Sequence, residues 1–157
     1  MRGRLFLLSA LAAVALAIGA VAVASAARTT PAARSSNSAA VVSVRHTKLG
    51  RILVDRAGRT LYLFERDRRN HSNCGGACAA AWPPLLIRGR ATAEHGAETR
   101  MLGTAIRRSG EQVTYNGHPL YRYAFDRKAG QTNGEGSKAF GASWYVVAPN
   151  GQKIDKS

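Results

Sequence analysis

Two short blocks carry the residues best suited to chemistry. Tyr62-x-Phe64-x-x-Asp67 and Tyr121-x-Tyr123-x-x-Asp126 each place a phenol, a second aromatic ring and a carboxylate in the same order. Paired carboxylates beside phenolic hydroxyls could bind a cation or exchange protons. That chemistry requires Asp67 and Asp126 to converge across a twofold relation between the blocks. The competing arrangement buries the aromatics and gives each Asp to the amides of its own turn. The residues leave both open. A Trp follows each block, Trp82 and Trp144, and completes the set of candidate binding residues.

The two cysteines, Cys74 and Cys78, are spaced C-x-x-x-C. In an oxidising compartment so close a pair is expected to form a disulfide, with Gly75 and Gly76 letting the backbone tighten around it. A redox site of the thioredoxin type needs C-x-x-C, and haem attachment needs C-x-x-C-H; neither is present. His71, Cys74 and Cys78 form a weaker alternative, three soft ligands for copper or zinc.

Other chemistry has little to build on. Gly130 to Gly136 is Gly-rich but lacks the Lys-Ser/Thr ending of a phosphate-binding loop, and it reads as a flexible hairpin loop. His46, His71, His95 and His118 show no metal-ligand spacing, and no G-x-S-x-G nucleophile elbow occurs. Nine carboxylates scattered among turns give glycosidase chemistry no acid pair. A non-catalytic protein without a cofactor is expected.

The elements that must position these residues come in duplicate. Gly58 to Asp67 reappears as Gly117 to Asp126 at an offset of 59 residues, and Val54 falls on Val113 at the same offset. Two units of about 60 residues are too few for a solenoid. Each reads as β structure. Ile52 to Val54 turns through Asp55-Arg56-Ala57-Gly58 into Thr60 to Phe64, while Gln112 to Tyr115 turns at Asn116-Gly117 into Pro119 to Phe125. Ser143 to Ala148 adds a strand. One short helix is expected over 76–81, ended by Pro83-Pro84. Period two puts Tyr62 and Phe64 on one face, Tyr121 and Tyr123 on the equivalent face, and Leu61 and Leu120 opposite. The fold class is therefore mainly β: two tandem, pseudo-equivalent hairpin units in one compact domain. The domain is expected over 41–154, with units at about 48–106 and 107–154.

Residues 1–26 have the parts of a secretory signal peptide. Arg2 and Arg4 precede an apolar run, and Ala24-Ser25-Ala26 supplies a cleavage pattern. An uncleaved N-terminal anchor is the competing reading. Residues 27–40 contain no bulky apolar side chain and read as a disordered linker. At 157 residues the chain has the length of one domain, and a multidomain enzyme is not expected. The charge is strongly positive, 23 Lys and Arg against 9 Asp and Glu. Outside a cell that charge points to anionic envelope polymers or lipid head groups. Nucleic-acid recognition has no motif beyond charge.

On the ordered motifs just described, the chain resembles a family of secreted or lipid-anchored bacterial repeat proteins of unknown function. The hallmark Tyr-x-(Phe/Trp/Tyr)-x-x-Asp occurs twice. Ser72, Cys74 and Cys78 followed by Trp82-Pro83-Pro84 match a companion pattern, as do Gly130, Gly134 and Gly136 before Trp144-Tyr145. The resemblance implies export, duplication and residence in the cell envelope. It carries no reaction and so no catalytic residue. No Cys stands near the cleavage site to take the lipid that some relatives carry.

Overall fold

The computed structural model describes residues 39–156; the expected leader and the linker up to residue 38 lie outside the described residues. Residues 39 and 40 are among those described, and the Ala40 carbonyl accepts a bond from Thr92 at 2.8 Å.

Each unit opens with a six-pair antiparallel hairpin. In the first, β1 (Val41–Thr47) pairs with β2 (Gly50–Asp55); β3 (Tyr62–Phe64), α1 (Ala77–Ala81), β4 (Leu86–Ile87) and β5 (Thr92–Ala93) follow. In the second, β6 (Leu102–Arg107) pairs with β7 (Gly110–Tyr115), followed by β8 (His118–Pro119), β9 (Lys138–Ala139), β10 (Ala142–Val147) and β11 (Lys153–Ile154). The two hairpins begin at Val41 and Leu102. Three small sheets result, ordered β2-β1-β5, β11-β10-β3 and β4-β7-β6. The helix falls where expected, beside the Cys pair.

The units interlock rather than sit side by side. Strand β10 of the second unit pairs with β3 of the first, with Trp144 opposite Phe64 and Val146 opposite Tyr62. Reciprocally, Pro84 of the first unit bridges Tyr121 of the second, and the Leu85 amide donates to the Leu120 carbonyl at 2.9 Å. Between these, Tyr62 and Tyr121 exchange both backbone bonds, at 2.8 and 3.0 Å. Such a two-way exchange is the hydrogen-bonded pair of an antiparallel ladder, and it places the pseudo-twofold axis between the two tyrosines.

Two corrections concern the second unit. The strand expected from Pro119 to Phe125 shortens to His118–Pro119 plus the Tyr121 bridges. Pro83 and Pro84 have no N–H to extend a ladder along it. The equivalence of Val54 with Val113 also fails. Val54 closes its turn on Thr60, whereas Thr114 closes on Pro119, so the second loop is one residue shorter. A one-residue slip exchanges faces. Val113 accordingly lies with Leu53, Leu61 and Leu120 in an aliphatic core, and Val54 lies with Tyr62 and Phe64 in an aromatic one. The faces expected for the motif residues hold: the tyrosines point into the aromatic cluster, and Leu61 and Leu120 into the aliphatic cluster.

Candidate functional site

The motif side chains meet across the axis in crossed pairs. Tyr62 donates its hydroxyl to Asp126 Oδ2 at 2.5 Å, and Tyr121 donates to Asp67 Oδ2 at 2.6 Å. The other oxygen of each carboxylate faces its own loop. Asp67 Oδ1 accepts the Asn73 amide at 2.6 Å, and Asp126 Oδ1 accepts the Asn133 amide and side chain, both at 3.0 Å. Each Asp thus binds turn amides and also reaches the opposite unit, combining the two arrangements open to the sequence. The carboxylates share no partner, so they form two separate clamps rather than one pocket.

Burial sets the electrostatics. Both phenols are held above the ordinary tyrosine pKa, Tyr62 by desolvation and then its bond to Asp126, Tyr121 by desolvation and then the charge of Asp67. The Asp67 carboxyl is also shifted upward, because its burial outweighs the Asn73 amide, Tyr121 and the nearby Arg107. Phenols that keep their protons and carboxylates with a donor on each oxygen suit fixed hydrogen-bonded pairs.

The aromatic residues form one stack through the same axis. Phe64 lies on Trp144 at 4.1 Å, Trp144 on Trp82 at 4.0 Å and Trp82 on Tyr123 at 4.3 Å. The two indoles are parallel within 3°. Tyr62 meets the stack edge-on at Trp82, and Tyr121 does so at Trp144, with centroids 5.3 and 5.1 Å apart. Every candidate motif residue is therefore brought together, half from each unit.

Residues 43–86 and 103–148 match the model of a family described as a secreted repeat of unknown function. The chain belongs to that family. No curated protein and no solved structure matches it. The secreted repeats span the hairpin, the motif and the post-Trp segment of each unit, so the crossed pairing joins one repeat to the other. Among the described residues no helix is long and apolar enough to cross a membrane.

In the first repeat the clamp extends outward. Ser72 Oγ lies 2.6 Å from the Tyr121 hydroxyl and accepts the Cys74 amide at 3.2 Å. Since Tyr121 donates to Asp67, Ser72 donates to Tyr121. Arg107 in turn donates to Ser72 Oγ, to the Cys74 carbonyl and to Gln112 Oε1. This chain from Arg107 to Asp67 borders an open cleft of about 760 Å³ lined by Asn73, Gly75, Gly76 and Arg108 among others. The second repeat has no such extension: Gly134 stands where its amide donates to Tyr62 at 3.3 Å.

Cys74 and Cys78 form the expected disulfide, with Cα atoms 5.3 Å apart. The bond removes both thiolates from the metal set considered with His71, whose backbone instead exchanges bonds with Arg68. The Gly130–Gly136 loop carries specific bonds rather than standing loose. Asn133 grips Asp126, Glu135 accepts the Val146 amide at 2.7 Å, and the Gly136 amide donates to the Trp144 carbonyl. The sequence reading missed Asn73 and Asn133, and it did not connect Ser72 or Arg107 to the motif tyrosines and acids. The asparagines follow their Asp by six and seven residues, a spacing that aligning the two loops could have found. Nothing local marks the contact of Arg107 with Ser72, 35 residues away.

Proposed function

We propose that this secreted repeat protein is a non-catalytic binding module that holds anionic envelope polymers or lipid head groups through its surface arginines. The observation that carries this reading is the imbalance between inward carboxylates and unpaired cations. Over residues 39–156 there are nineteen Lys and Arg and nine Asp and Glu. Asp67 and Asp126 accept from phenols and amides, not from cations. Among the described residues, ion pairs engage Arg100, Arg122 and Lys153 and leave the other arginines without a carboxylate partner. Guanidinium groups in that state suit bidentate contacts with carboxylate or phosphate. The Asp–Tyr clamps, with each carboxylate oxygen already engaged, support rigidity rather than turnover.

The test is retention on acidic wall fragments and anionic vesicles across a salt series. Binding that weakens steeply with salt supports the module; retention indifferent to salt, or none at low salt, overturns it. A redox-linked accessory role is the second reading, favoured by the packing of Cys78 in the same cluster as Trp82 and Trp144. A reduction potential near about −200 mV would support it, and one below about −300 mV would mark the disulfide as structural.

A further inference from the structure

The cleft beside Arg107 adjoins a second one of about 500 Å³, and the two share Asn73 and Gly75. Arg108 flanks the first, Arg66 and Phe140 the second, and the disulfide loop lies between them.

Phe140 is out of place by the ordinary rules. It occupies the first position of a two-residue turn between β9 and β10, with φ of +59°, and Gly141 follows at +89°. Turns with both central residues left-handed favour Asn-Gly, and a bulky side chain there is strained. Asn116-Gly117 satisfies the same geometry in the usual way. The Phe140 ring does not repay the strain by entering the core, since it is 42% exposed. Strain retained at an exposed aromatic is a pointer to a ligand contact.

Charge surrounds the ring. Arg66 donates one bond to the Phe140 carbonyl at 3.3 Å and has no carboxylate partner among the described residues. Arg108 is exposed and without one as well. A lipid head group or polyphosphate would use the arginines and leave the ring idle. A chain of sugar rings bearing carboxylates or phosphates uses both, its flat C–H face on Phe140 and its anions on Arg66 and Arg108.

We propose that the paired clefts across the disulfide loop are a binding site for an acidic glycan, held by Arg66, Arg108 and the strained, exposed Phe140. This rests on the polyanion-binding reading above and names its site and ligand class.

The test measures affinity of the purified mature protein for oligogalacturonate and for a polymer of phosphodiester-linked sugars. Phe140→Asn suits the left-handed turn, so it is expected to hold or raise Tm while weakening glycan binding at least fivefold. Arg66→Gln with Arg108→Gln is expected to weaken it at least tenfold. Arg51→Gln with Arg88→Gln, an equal charge change elsewhere, is expected to weaken it less than twofold. Binding of either polymer with these effects supports the site, and the tighter polymer identifies the anion. Polyphosphate binding insensitive to Phe140→Asn supports it too. Equal losses from both arginine pairs, with no effect of Phe140→Asn, overturn the site but leave diffuse polyanion binding standing. Equal affinity for neutral dextran, or tighter binding of single-stranded DNA, overturns the glycan assignment. Failure to bind any acidic polymer overturns the broader reading as well.

Discussion

The Tyr62 hydroxyl donates to Asp126 at 2.5 Å, across the boundary between the two repeats. Tyr121 and Asp67 form the pair related to it by the pseudo-twofold axis, and Arg122 of the second repeat reaches Asp55 of the first at 2.6 Å. Each repeat therefore supplies a hydrogen-bond donor to the other's motif acid. Neither can satisfy its own motif alone, which accounts for a duplicated chain folding as one body with a shared aromatic stack.

Crossed pairing makes a specific thermodynamic claim. Tyr62→Phe leaves the Asp126 carboxylate, 1% exposed, one donor short, and is expected to cost about 1–3 kcal/mol. In double-mutant cycles, Tyr62 with Asp126 and Tyr121 with Asp67 should each couple by about 0.5–3 kcal/mol. The same-repeat combinations, Tyr62 with Asp67 and Tyr121 with Asp126, should add within about 0.5 kcal/mol. Denaturant unfolding of the single and paired variants measures this. Coupling within a repeat instead of between repeats would disprove the crossing.

The raised phenols set an alkaline limit. Tyr62 and Tyr121 keep their protons in the folded chain above the ordinary value of 10.0, at which the unfolded chain releases them. Stability from these groups is fully present below pH 10 and falls as the pH rises beyond it, by about 1.4 kcal/mol per pH unit for each phenol. Tyr62→Phe should lower starting stability yet remove one proton from the slope. At acid pH the sign is the same for Asp67 and Glu135, whose folded values burial has raised. They favour the native state below the ordinary carboxylate range and lose that contribution as the pH climbs through their folded values. Urea midpoints across pH 3–6 and pH 9–12 test both limbs.

Much of this was legible because the motif residues recur in order and alternate in face. Period two sent Tyr62, Phe64 and Tyr121 to one core and Leu61 and Leu120 to another without any knowledge of partners. It could not say whether Asp126 serves its own repeat or the other, since alternation assigns a face and not a neighbour. The Val54–Val113 slip has a similar origin: Asp55–Arg59 closes with one more residue than Tyr115–His118, and a fixed offset cannot register the difference. The contact between Ser72 and Arg107 stayed hidden because a single polar contact 35 residues apart leaves no periodic trace.

The disulfide closes a five-residue ring, so its entropic effect is local. Replacing Cys74 and Cys78 together by Ala should cost about 2 kcal/mol, a fall in Tm of roughly 5–10 °C. The near-ultraviolet circular dichroism of the stacked indoles should persist, because Trp144 is fixed by the pairing of β10 with β3 and Trp82 is stacked between Trp144 and Tyr123. Loss of that signal in the folded variant would make the disulfide a determinant of the stack itself.

Gly134 supplies the sharpest steric test. A Cβ there would lie 2.7 Å from Trp82 Cη2, 2.9 Å from Trp82 Cζ3 and 3.1 Å from Tyr62 Cε1. Trp82 has little room to retreat, since it is stacked between Trp144 at 4.0 Å and Tyr123 at 4.3 Å, and Tyr62 is tied to Asp126. Relief must come from moving the loop, which would draw the Gly134 amide from the Tyr62 hydroxyl and the neighbouring Asn133 from Asp126. Gly134→Ala is therefore expected to cost about 1–3 kcal/mol by overpacking alone, and more with those bonds lost. Gly75→Ala is the matched control. Its Cβ meets nothing within 4 Å and its φ is not left-handed, so its effect should stay within about 0.5 kcal/mol. Thermal unfolding of the two variants side by side decides the point, and equal stabilities would mean that the Trp82–Trp144 stack yields more readily than its geometry implies.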